Sequence, residues 1–150
     1  MKTGDKFYHQ GEYIVENKDK YIGEKNPKYR SSWESKFAYW CDHATNVLRW
    51  SYECFEIPYF SPIDNKVHRY FPDFYMELKN NDDNIIKYIV EVKPYNSTIP
   101  PKKPKRMGKS FLYEAKNYIV NKCKWDSAIK FCASKGYVFK LITENDLFIQ

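Results

Sequence analysis

Apolar side chains recur at helical spacing in the segment that begins near residue 31. They occupy positions i, i+4, i+7, i+8 and i+11 of one helix face: Trp33, Phe37, Trp40, Cys41 and Ala44. Ser31 and Glu34 have the spacing of a capping box, in which the serine side chain caps the helix start. The pattern predicts an amphipathic helix. Residues 1–28 have no sustained period and are predicted to form an N-terminal arm.

Three strands are predicted between residues 47 and 92. In the stretch 47–59, apolar and polar side chains alternate until Pro58 ends the run, which is typical of a strand with one buried face. Residues 61–66 have turn chemistry. Two further β-type runs, 70–78 and 85–92, flank the polar sequence 80–84. These two runs predict a β-hairpin.

The last third of the chain is predicted to contain a loop, a helical stretch and a strand. Prolines at positions 94, 100, 101 and 104 exclude regular structure from residues 96–109, because each lacks a backbone N–H and restricts the residue before it. Apolar residues at helical spacing follow between positions 111 and 132, as two helices or one broken helix, until Gly136 stops the pattern. Residues 137–142 form a last strand. The order helix, three strands, one or two helices and strand predicts an α/β domain with a mixed sheet.

Composition places the chain among folded proteins with one core. Its 150 residues are 43% hydrophobic and 19% aromatic, which excludes a mostly disordered chain. No apolar stretch approaches the roughly 18 residues that span a bilayer, and the first residues lack the apolar run of a signal peptide. We therefore expect a soluble, intracellular protein that is not secreted. Its four cysteines are too few for a disulfide scaffold and are expected to be reduced.

Two acidic residues and a lysine are predicted to meet on the hairpin. If its turn is centred on Asp82, then Asp73 lies opposite Glu91 on the same face of the sheet. Lys93 shares that face because side chains alternate along a strand, whereas Val92 points into apolar packing. Like charges directly opposite one another are destabilising unless a cation lies between them. The alternative is that all three are ordinary solvated residues on an open sheet face.

Such a cluster suits phosphodiester hydrolysis. Carboxylate oxygens are the ligands that Mg²⁺ and Mn²⁺ favour. An ion of this type polarises a phosphoryl oxygen, lowers the pKa of its bound water and offsets charge on the leaving oxygen. Lys93 would orient the attacking water or balance phosphate charge. This interpretation depends on the hairpin register, since a slip of one residue would place the two acids on opposite faces.

The same residues resemble a known signature. Pro72-Asp73 followed by Glu91-Val92-Lys93 is similar to the PD-(D/E)XK nuclease signature, and the predicted order of elements resembles the restriction-endonuclease-like core of that superfamily. A longer block, between residues 29 and 145, resembles the head-completion nucleases of tailed bacteriophages. The block comprises Tyr29-Arg30-Ser31-Ser32-Trp33-Glu34, Ile57-Pro58-Tyr59, Ser61-Pro62-Ile63-Asp64-Asn65, His68-Arg69-Tyr70-Phe71-Pro72-Asp73-Phe74 and Glu91-Val92-Lys93-Pro94. A later stretch with Glu114, Asn121 and Lys124 is similar to a helix of the same family.

The resemblance implies roles for individual residues and a biological setting. Asp73 and Glu91 would bind a divalent metal, Mg²⁺ or Mn²⁺, together with Glu34 and the backbone carbonyl of Val92, and Lys93 would assist the attacking water. Glu34 has a second interpretation, because its carboxylate could instead cap its own helix. The implied substrate is double-stranded DNA, the implied setting is phage head completion with portal or neck proteins as partners, and the implied locations are the host cytoplasm and the virion. The nuclease-like domain then comprises residues 29–150.

A basic loop is predicted to contact the DNA backbone. Its cations are Lys102, Lys103, Lys105, Arg106 and Lys109. They account for most of the formal net charge of +6 and directly follow the motif strand, so they are predicted to add affinity that falls steeply with salt. The alternative is a solubilising surface loop. Arg30, His68 and Arg69 are further candidates for phosphate contacts, although a lone histidine is more often structural.

The leading hypothesis from the sequence is a Mg²⁺-dependent DNA endonuclease of the head-completion type. A junction-resolving or transposon-end nuclease of the same superfamily would use the same chemistry on another substrate. An alternative from a different class is a structural head or neck protein that binds DNA and carries a vestigial nuclease site.

Overall fold

The structure of the chain is a computed structural model that describes residues 10–147. Its elements in chain order are β1 (Gly11–Glu12), β2 (Lys28–Tyr29), α1 (Ser32–His43), β3 (Val47–Tyr52), β4 (Ile57–Ser61), β5 (Lys66–Tyr70), β6 (Phe74–Lys79), β7 (Ile85–Val92), α2 (Lys109–Lys135), β8 (Val138–Ile142) and α3 (Glu144–Leu147). Strands β3, β6, β7 and β8 form a four-stranded sheet in that order. Strand β8 is parallel to β7 and the other neighbours are antiparallel. The predicted α/β domain with a mixed sheet is therefore confirmed.

The β6–β7 hairpin has the register that the sequence predicts. Its paired residues run from Phe74 opposite Val90 to Lys79 opposite Ile85, which centres the turn on Asp82. The side chain of Asn80 accepts hydrogen bonds from the backbone N–H groups of residues 82 and 84, at 2.9 and 3.0 Å. An asparagine side chain that bonds to the backbone two residues ahead is a common way to fix a turn. The turn therefore fixes which residues face one another farther along the two strands.

The sheet separates two apolar layers because side chains alternate along β6 and β7. Phe74 and Val92 face α1, in a core cluster that also contains Phe37 and Trp50. Ile89 faces α2, where it packs with Cys132. Val92 thus lies in apolar packing as predicted. Glu91 is one residue out of phase with Val92, so alternation directs its side chain to the α2 side, and Asp73 lies directly before β6, across from it.

An additional hairpin, formed by β4 and β5, interrupts the predicted three-strand order. The stretch 47–59 is not one strand, because β3 ends at Tyr52 and the left-handed backbone of Glu53, with φ of 48°, turns the chain away. The stretch 70–78 is also divided, since β5 ends at Tyr70 and β6 begins at Phe74. Pro72 lies in this gap, and proline cannot donate to a strand ladder. The two corrections leave β3, β6 and β7 as the core strands, with a two-stranded hairpin inserted between the first and the second.

The second helical stretch is one helix of 27 residues. Gly136 ends it in a left-handed conformation with φ of 76°, and its backbone N–H donates to the carbonyl of Cys132, as expected for a glycine C-cap. Trp125 and Ala128 bury the middle of the helix against the β4–β5 hairpin. The sequence was compatible with two helices or one broken helix in this stretch, and the structure contains one continuous helix. None of the helices among residues 10–147 is long and apolar enough to cross a membrane.

The described part of the arm packs on the rest of the fold. Val15 is buried in the α1-facing core cluster, and the ring of Tyr21 lies 4.7 Å from that of Trp50. The Tyr13 hydroxyl donates to Asp42 at 2.7 Å. Residues 1–9 of the predicted arm and the terminal residues 148–150 lie outside the described part of the chain. The domain boundary between residues 28 and 29 stays a prediction.

Candidate active site

Three carboxylates from three elements are buried next to one another. Asp73 directly precedes β6, Glu91 is the penultimate residue of β7, and Glu34 lies in the first turn of α1. The exposed fractions of these residues are only 4%, 6% and 6%, respectively. Charged carboxylates are rarely buried to this extent unless they are paired or bind a metal. The interpretation of these acids as solvated residues on an open face is therefore wrong.

Each carboxylate accepts hydrogen bonds that fix its orientation. Asp73 Oδ2 accepts from the backbone N–H of Val92 at 2.9 Å, which joins the two hairpin strands at the site. Glu91 Oε1 accepts from the hydroxyl of Tyr70 at 2.7 Å. Glu34 Oε1 accepts from the hydroxyl of Tyr52 at 3.2 Å. The acids are thus held in place by neighbouring backbone and tyrosine groups.

Glu34 takes part in the helix start and also faces the other two acids. Its backbone N–H donates to Ser31 Oγ at 3.2 Å, so Ser31 is the N-cap. Its carboxylate accepts from the backbone N–H of Arg30 at 3.4 Å and repels the charge of Asp73 and of Glu91. The Ser31 hydroxyl also donates to this carboxylate at 3.4 Å, so Glu34 bonds to the helix start and faces the acid cluster at the same time, and both interpretations stay predictions.

Burial and mutual repulsion disfavour the charged forms of the cluster. Burial holds the pKa of Asp73 well above its usual range, and the negative charges of Glu91 and Glu34 raise it further. Burial also raises the pKa of Glu91, against the opposing effect of Lys93 and of the hydrogen bond from Tyr70. Burial likewise raises the pKa of Glu34. Burial and mutual repulsion thus disfavour the ionised forms of all three acids, and such a site favours a bound cation.

Two cations reach the acids from the rim of the site. Lys93 Nζ lies 3.6 Å from Glu91 Oε2. Arg30 Nη2 lies 3.8 Å from Asp73 Oδ1 and 2.5 Å from Glu53 Oε2. The structure therefore brings together five of the sequence-predicted site residues: Arg30, Glu34, Asp73, Glu91 and Lys93.

The three carboxylates are chemically suited to bind a hard divalent metal ion. All three side chains offer carboxylate oxygens, which suit Mg²⁺ or Mn²⁺ rather than softer metals. A second group of possible ligands among residues 10–147 consists of Glu16, Asp42 and His43, whose ligand atoms all lie within 4.8 Å of one another. The carboxylate oxygens of Asp73, Glu91 and Glu34 are more widely spaced than that. In that second group His43 pairs with Glu16 at 2.7 Å, and Asp42 accepts from the backbone N–H groups of residues 16 and 17. Its polar atoms are thus used to hold the arm on α1.

The sequence comparisons identify the family of the chain. Residues 44–144 match the family model for the TnsA-like endonuclease N-terminal domain. This chain belongs to that family. The head completion nuclease of Enterobacteria phage T4 is 33% identical to it over 144 residues, which cover 93% of each of the two chains. No solved structure shows significant similarity. The resemblance to PD-(D/E)XK nucleases and to head-completion nucleases is therefore confirmed, and the chain is a member of an endonuclease family.

The match to the TnsA-like endonuclease model covers only part of the cluster. Asp73, Glu91 and Lys93 lie inside the matched residues 44–144, whereas Arg30 and Glu34 precede them. The family match therefore does not include Glu34, and the evidence that it lies beside the other two acids is its position in the structure. The roles of all these residues in catalysis and metal binding stay predictions, as does the role of the Val92 carbonyl.

The other predicted nucleic-acid contacts of this TnsA-like endonuclease lie outside the cluster. His68 pairs with Asp64 at 2.7 Å and stacks on the ring of Tyr59. Arg69 pairs with Glu56 at 3.1 Å. Both are thus engaged within or beside the β4–β5 hairpin. The cations of the basic loop are all exposed: Lys102, Lys103, Lys105, Arg106 and Lys109.

Two tyrosines and a lysine at the site were not among the predicted site residues. Tyr52 and Tyr70 donate to Glu34 and Glu91, respectively, and the ammonium group of Lys124, on α2, lies over the ring of Tyr70. Alternation indicates no functional role for Tyr52, and Tyr70 had one signal, its place in the block that resembles the head-completion nucleases. Lys124 had one signal, its position in the helix that is similar to the family's later helix.

The raised pKa values predict that metal-free protein loses stability as pH rises. Below about pH 4 the carboxyls of Asp73, Glu91 and Glu34 are protonated in both the folded and the unfolded state. Above that value the unfolded chain ionises first, so the free energy of unfolding falls until the pH exceeds the raised pKa values. Bound Mg²⁺ should oppose the loss, since it favours the ionised forms.

This expectation can be checked by thermal denaturation between pH 4 and 8, with EDTA or with Mg²⁺. His43, whose pKa is also raised, contributes a fall in the same direction only above about pH 6.5. The difference between wild type and Asp73→Asn therefore isolates the acids, and Asp82→Asn in the exposed turn is the matched control. Equal pH dependence in wild type and Asp73→Asn would contradict the assignment of the effect to this cluster.

Proposed function

We propose that this endonuclease is a divalent-metal-dependent DNA endonuclease that hydrolyses phosphodiester bonds, and that it acts on phage DNA during head completion. The observation that carries the proposal is the cluster of three buried carboxylates beside a lysine. Burial disfavours the charged forms of these acids, and a bound divalent cation would offset that effect. The similarity to a protein named head completion nuclease supports the setting.

In the proposed mechanism, this chain's residues hold the reactants in place. Asp73, Glu91 and Glu34, with the backbone carbonyl of Val92, hold the metal, for which Mg²⁺ or Mn²⁺ is the best chemical fit. When bound, such an ion polarises the scissile phosphate and lowers the pKa of its water. Lys93 orients the attacking water or balances the charge that develops on the phosphate. Tyr70 keeps Glu91 oriented through the hydroxyl that donates to Oε1.

The partners and locations follow from the same setting. Double-stranded DNA is the proposed substrate, and portal or neck proteins of the phage head are the proposed protein partners. The proposed locations are the host cytoplasm, where heads are completed, and the virion. Arg30 is the proposed phosphate contact closest to the acids, since it lies at the mouth of the site with its side chain 60% exposed.

Incubation of purified protein with supercoiled plasmid tests the proposed function. We expect relaxed and linear DNA to form with Mg²⁺ or Mn²⁺ and not with EDTA, because in the proposed mechanism the bound ion lowers the pKa of the attacking water. The same assay with single-stranded DNA and with RNA of matched length shows whether the protein prefers double-stranded DNA as its substrate. DNA binding without any metal-dependent cleavage would favour the structural head or neck protein instead.

The basic loop is proposed to contribute affinity without sequence information. Its five cations are exposed, and the loop joins the end of β7, where Glu91 lies, to the start of α2. The loop therefore begins beside the site, which supports a contact with DNA that is bound there. Exposed cations next to DNA release counterions from it, and each contact adds about 0.9 to the slope of log affinity against log salt.

Replacing all five loop cations by alanine should reduce that salt slope by about 3 to 4.5, if three to five phosphates are contacted. Fluorescence anisotropy with a labelled 30-base-pair duplex in EDTA measures the slope. A matched control replaces five exposed cations outside the loop by alanine: Lys18, Lys25, Lys66, Lys79 and Lys87. An unchanged slope in the loop variant would show that the loop is only a solubilising surface.

A further inference from the structure

One cation at the site forms no ion pair within 4.0 Å with any acidic side chain of residues 10–147. Lys124 projects from the middle of α2, and its Nζ lies 5.8 Å from the ring centre of Tyr59 and 5.7 Å from that of Tyr70. Among the described residues, no carboxylate oxygen lies within 4.0 Å of it. It differs in this from Arg30 and Lys93, which contact acids of the site.

The position of Lys124 is partly buried and close to the acids. Its side chain is half-buried, and burial lowers its pKa, while the charges of Glu91 and Asp73 act in the opposite direction. Burying an ammonium group without an ion pair costs free energy. The faces of two tyrosine rings return only about 0.5–2 kcal/mol by cation–π attraction. The position therefore favours an anion that would approach from outside the chain.

The tyrosine rings connect Lys124 to the acid cluster. The hydroxyl of Tyr70 donates to Glu91, so the ring that faces Lys124 is fixed by one of the proposed metal ligands. Tyr59 and Tyr70 both belong to the β4–β5 hairpin, which packs on α2. The hairpin thus positions the ammonium group of Lys124 relative to the carboxylate of Glu91. An anion bound between this ammonium group and the metal ligands would lie at the reacting centre.

We propose that Lys124 binds the non-bridging oxygens of the phosphate at the reacting centre, held there by the faces of Tyr59 and Tyr70. This inference rests on the proposed function, because it places a DNA phosphate at the acid cluster. It adds a third cation, from a third element, to Arg30 before α1 and Lys93 after β7. A phosphate there would supply the anionic partner that the described residues do not.

The test compares Lys124→Met with Lys122→Met. Lys122 lies one half-turn away on α2, is exposed, and pairs with Asp126 at 3.9 Å, so its loss removes the same charge from the same helix. In single-turnover cleavage of plasmid with Mg²⁺, Lys124→Met should be about 100-fold slower than wild type, the typical effect of removing one donor to a developing charge. Lys122→Met should stay within about twofold of wild type, as expected for a surface substitution. Lys124→Arg, which keeps the cation, should recover at least part of the rate.

A second measurement separates phosphate binding from a counterion role. The salt slope of binding to a 30-base-pair duplex in EDTA should fall by about 0.9 in Lys124→Met, which corresponds to one lost phosphate contact. A slower rate with an unchanged slope would overturn the proposal and leave Lys124 as a counterion of the acids. A wild-type rate would also overturn it. Melting temperatures verify folding, and Lys124→Gln replaces the methionine variant if that variant does not fold.

Asp73→Asn in the same assays distinguishes this inference from the proposed function. If wild type cleaves, Asp73→Asn does not, and Lys124→Met behaves as wild type, only the inference on Lys124 is wrong. If wild type shows no metal-dependent cleavage, the proposed function is wrong, and the salt slope in EDTA still tests whether Lys124 contacts a phosphate.

Discussion

Replacing Asp73 by asparagine is expected to lower the rate of Mg²⁺-dependent plasmid cleavage at least a thousand-fold while the chain stays folded. The amide has the shape of the carboxylate, and its oxygen can still accept from the backbone N–H of Val92. What it loses is the negative charge that binds a divalent ion. An ion that polarises the phosphate contributes several kcal/mol, and a thousand-fold in rate corresponds to about 4 kcal/mol.

The same substitution should leave metal-free protein at least as stable as wild type at neutral pH. Asp73 is repelled by Glu91 and Glu34, so removing its charge relieves that repulsion. The expected combination is lost cleavage, a lost increase of melting temperature on addition of Mg²⁺, and an unchanged or higher melting temperature in EDTA. Asp82→Asn, in the exposed turn of the same hairpin, should change none of the three. Plasmid cleavage at the wild-type rate by Asp73→Asn would eliminate this residue as a metal ligand.

The sequence was sufficient to predict how the two hairpin acids face each other. The apolar alternation of the two runs and the turn chemistry of Asn80 both favour one register. A one-residue slip would have placed Val92 outside the core. Local chemistry and core packing therefore specify the same pairing, which is why a turn centre inferred from residue types located the acids correctly.

The β4–β5 hairpin could not be predicted in the same way. Its strands are short, and the apolar alternation only changes phase at Cys54 and Phe55, next to Glu53, where no glycine or proline indicates a turn. That turn depends on a left-handed backbone at a glutamate, a conformation that residue type does not indicate. The consequence for the site was large, since Tyr70 donates to Glu91 from this hairpin.

The arm shows a similar limit. Its contacts with the rest of the chain are made by single residues, such as Val15 in the core and Tyr13 on Asp42, and they do not repeat at any period. The periodicity of apolar residues therefore predicts no element in the arm, although the described residues 10–28 pack closely against α1 and β3. Tertiary contacts without local regularity have to be seen in the structure.

Replacing Lys93 by methionine is expected to lower the cleavage rate about 100- to 1,000-fold, because one cation is lost from beside the reacting phosphate. Lys93 Nζ lies 3.6 Å from Glu91 and its side chain is 31% exposed, so it can contact both the acid cluster and an incoming substrate. Unlike Asp73→Asn, this variant keeps all three carboxylates. It should therefore retain the rise of melting temperature with Mg²⁺, since the metal ligands are unchanged.

Comparison of Asp73→Asn with Lys93→Met distinguishes a residue that binds the metal from a residue that assists the reaction. Lys87 is an exposed lysine of β7, the strand that Lys93 follows. Its replacement by methionine is the matched control and should leave cleavage within about twofold of wild type, as a surface substitution typically does. Lys93 also opposes the burial that raises the pKa of Glu91, so its loss should raise that pKa further and lower the stability of metal-free protein slightly at neutral pH. If Lys93→Met cleaves at the wild-type rate, the lysine balances Glu91 in the folded chain and has no part in the reaction.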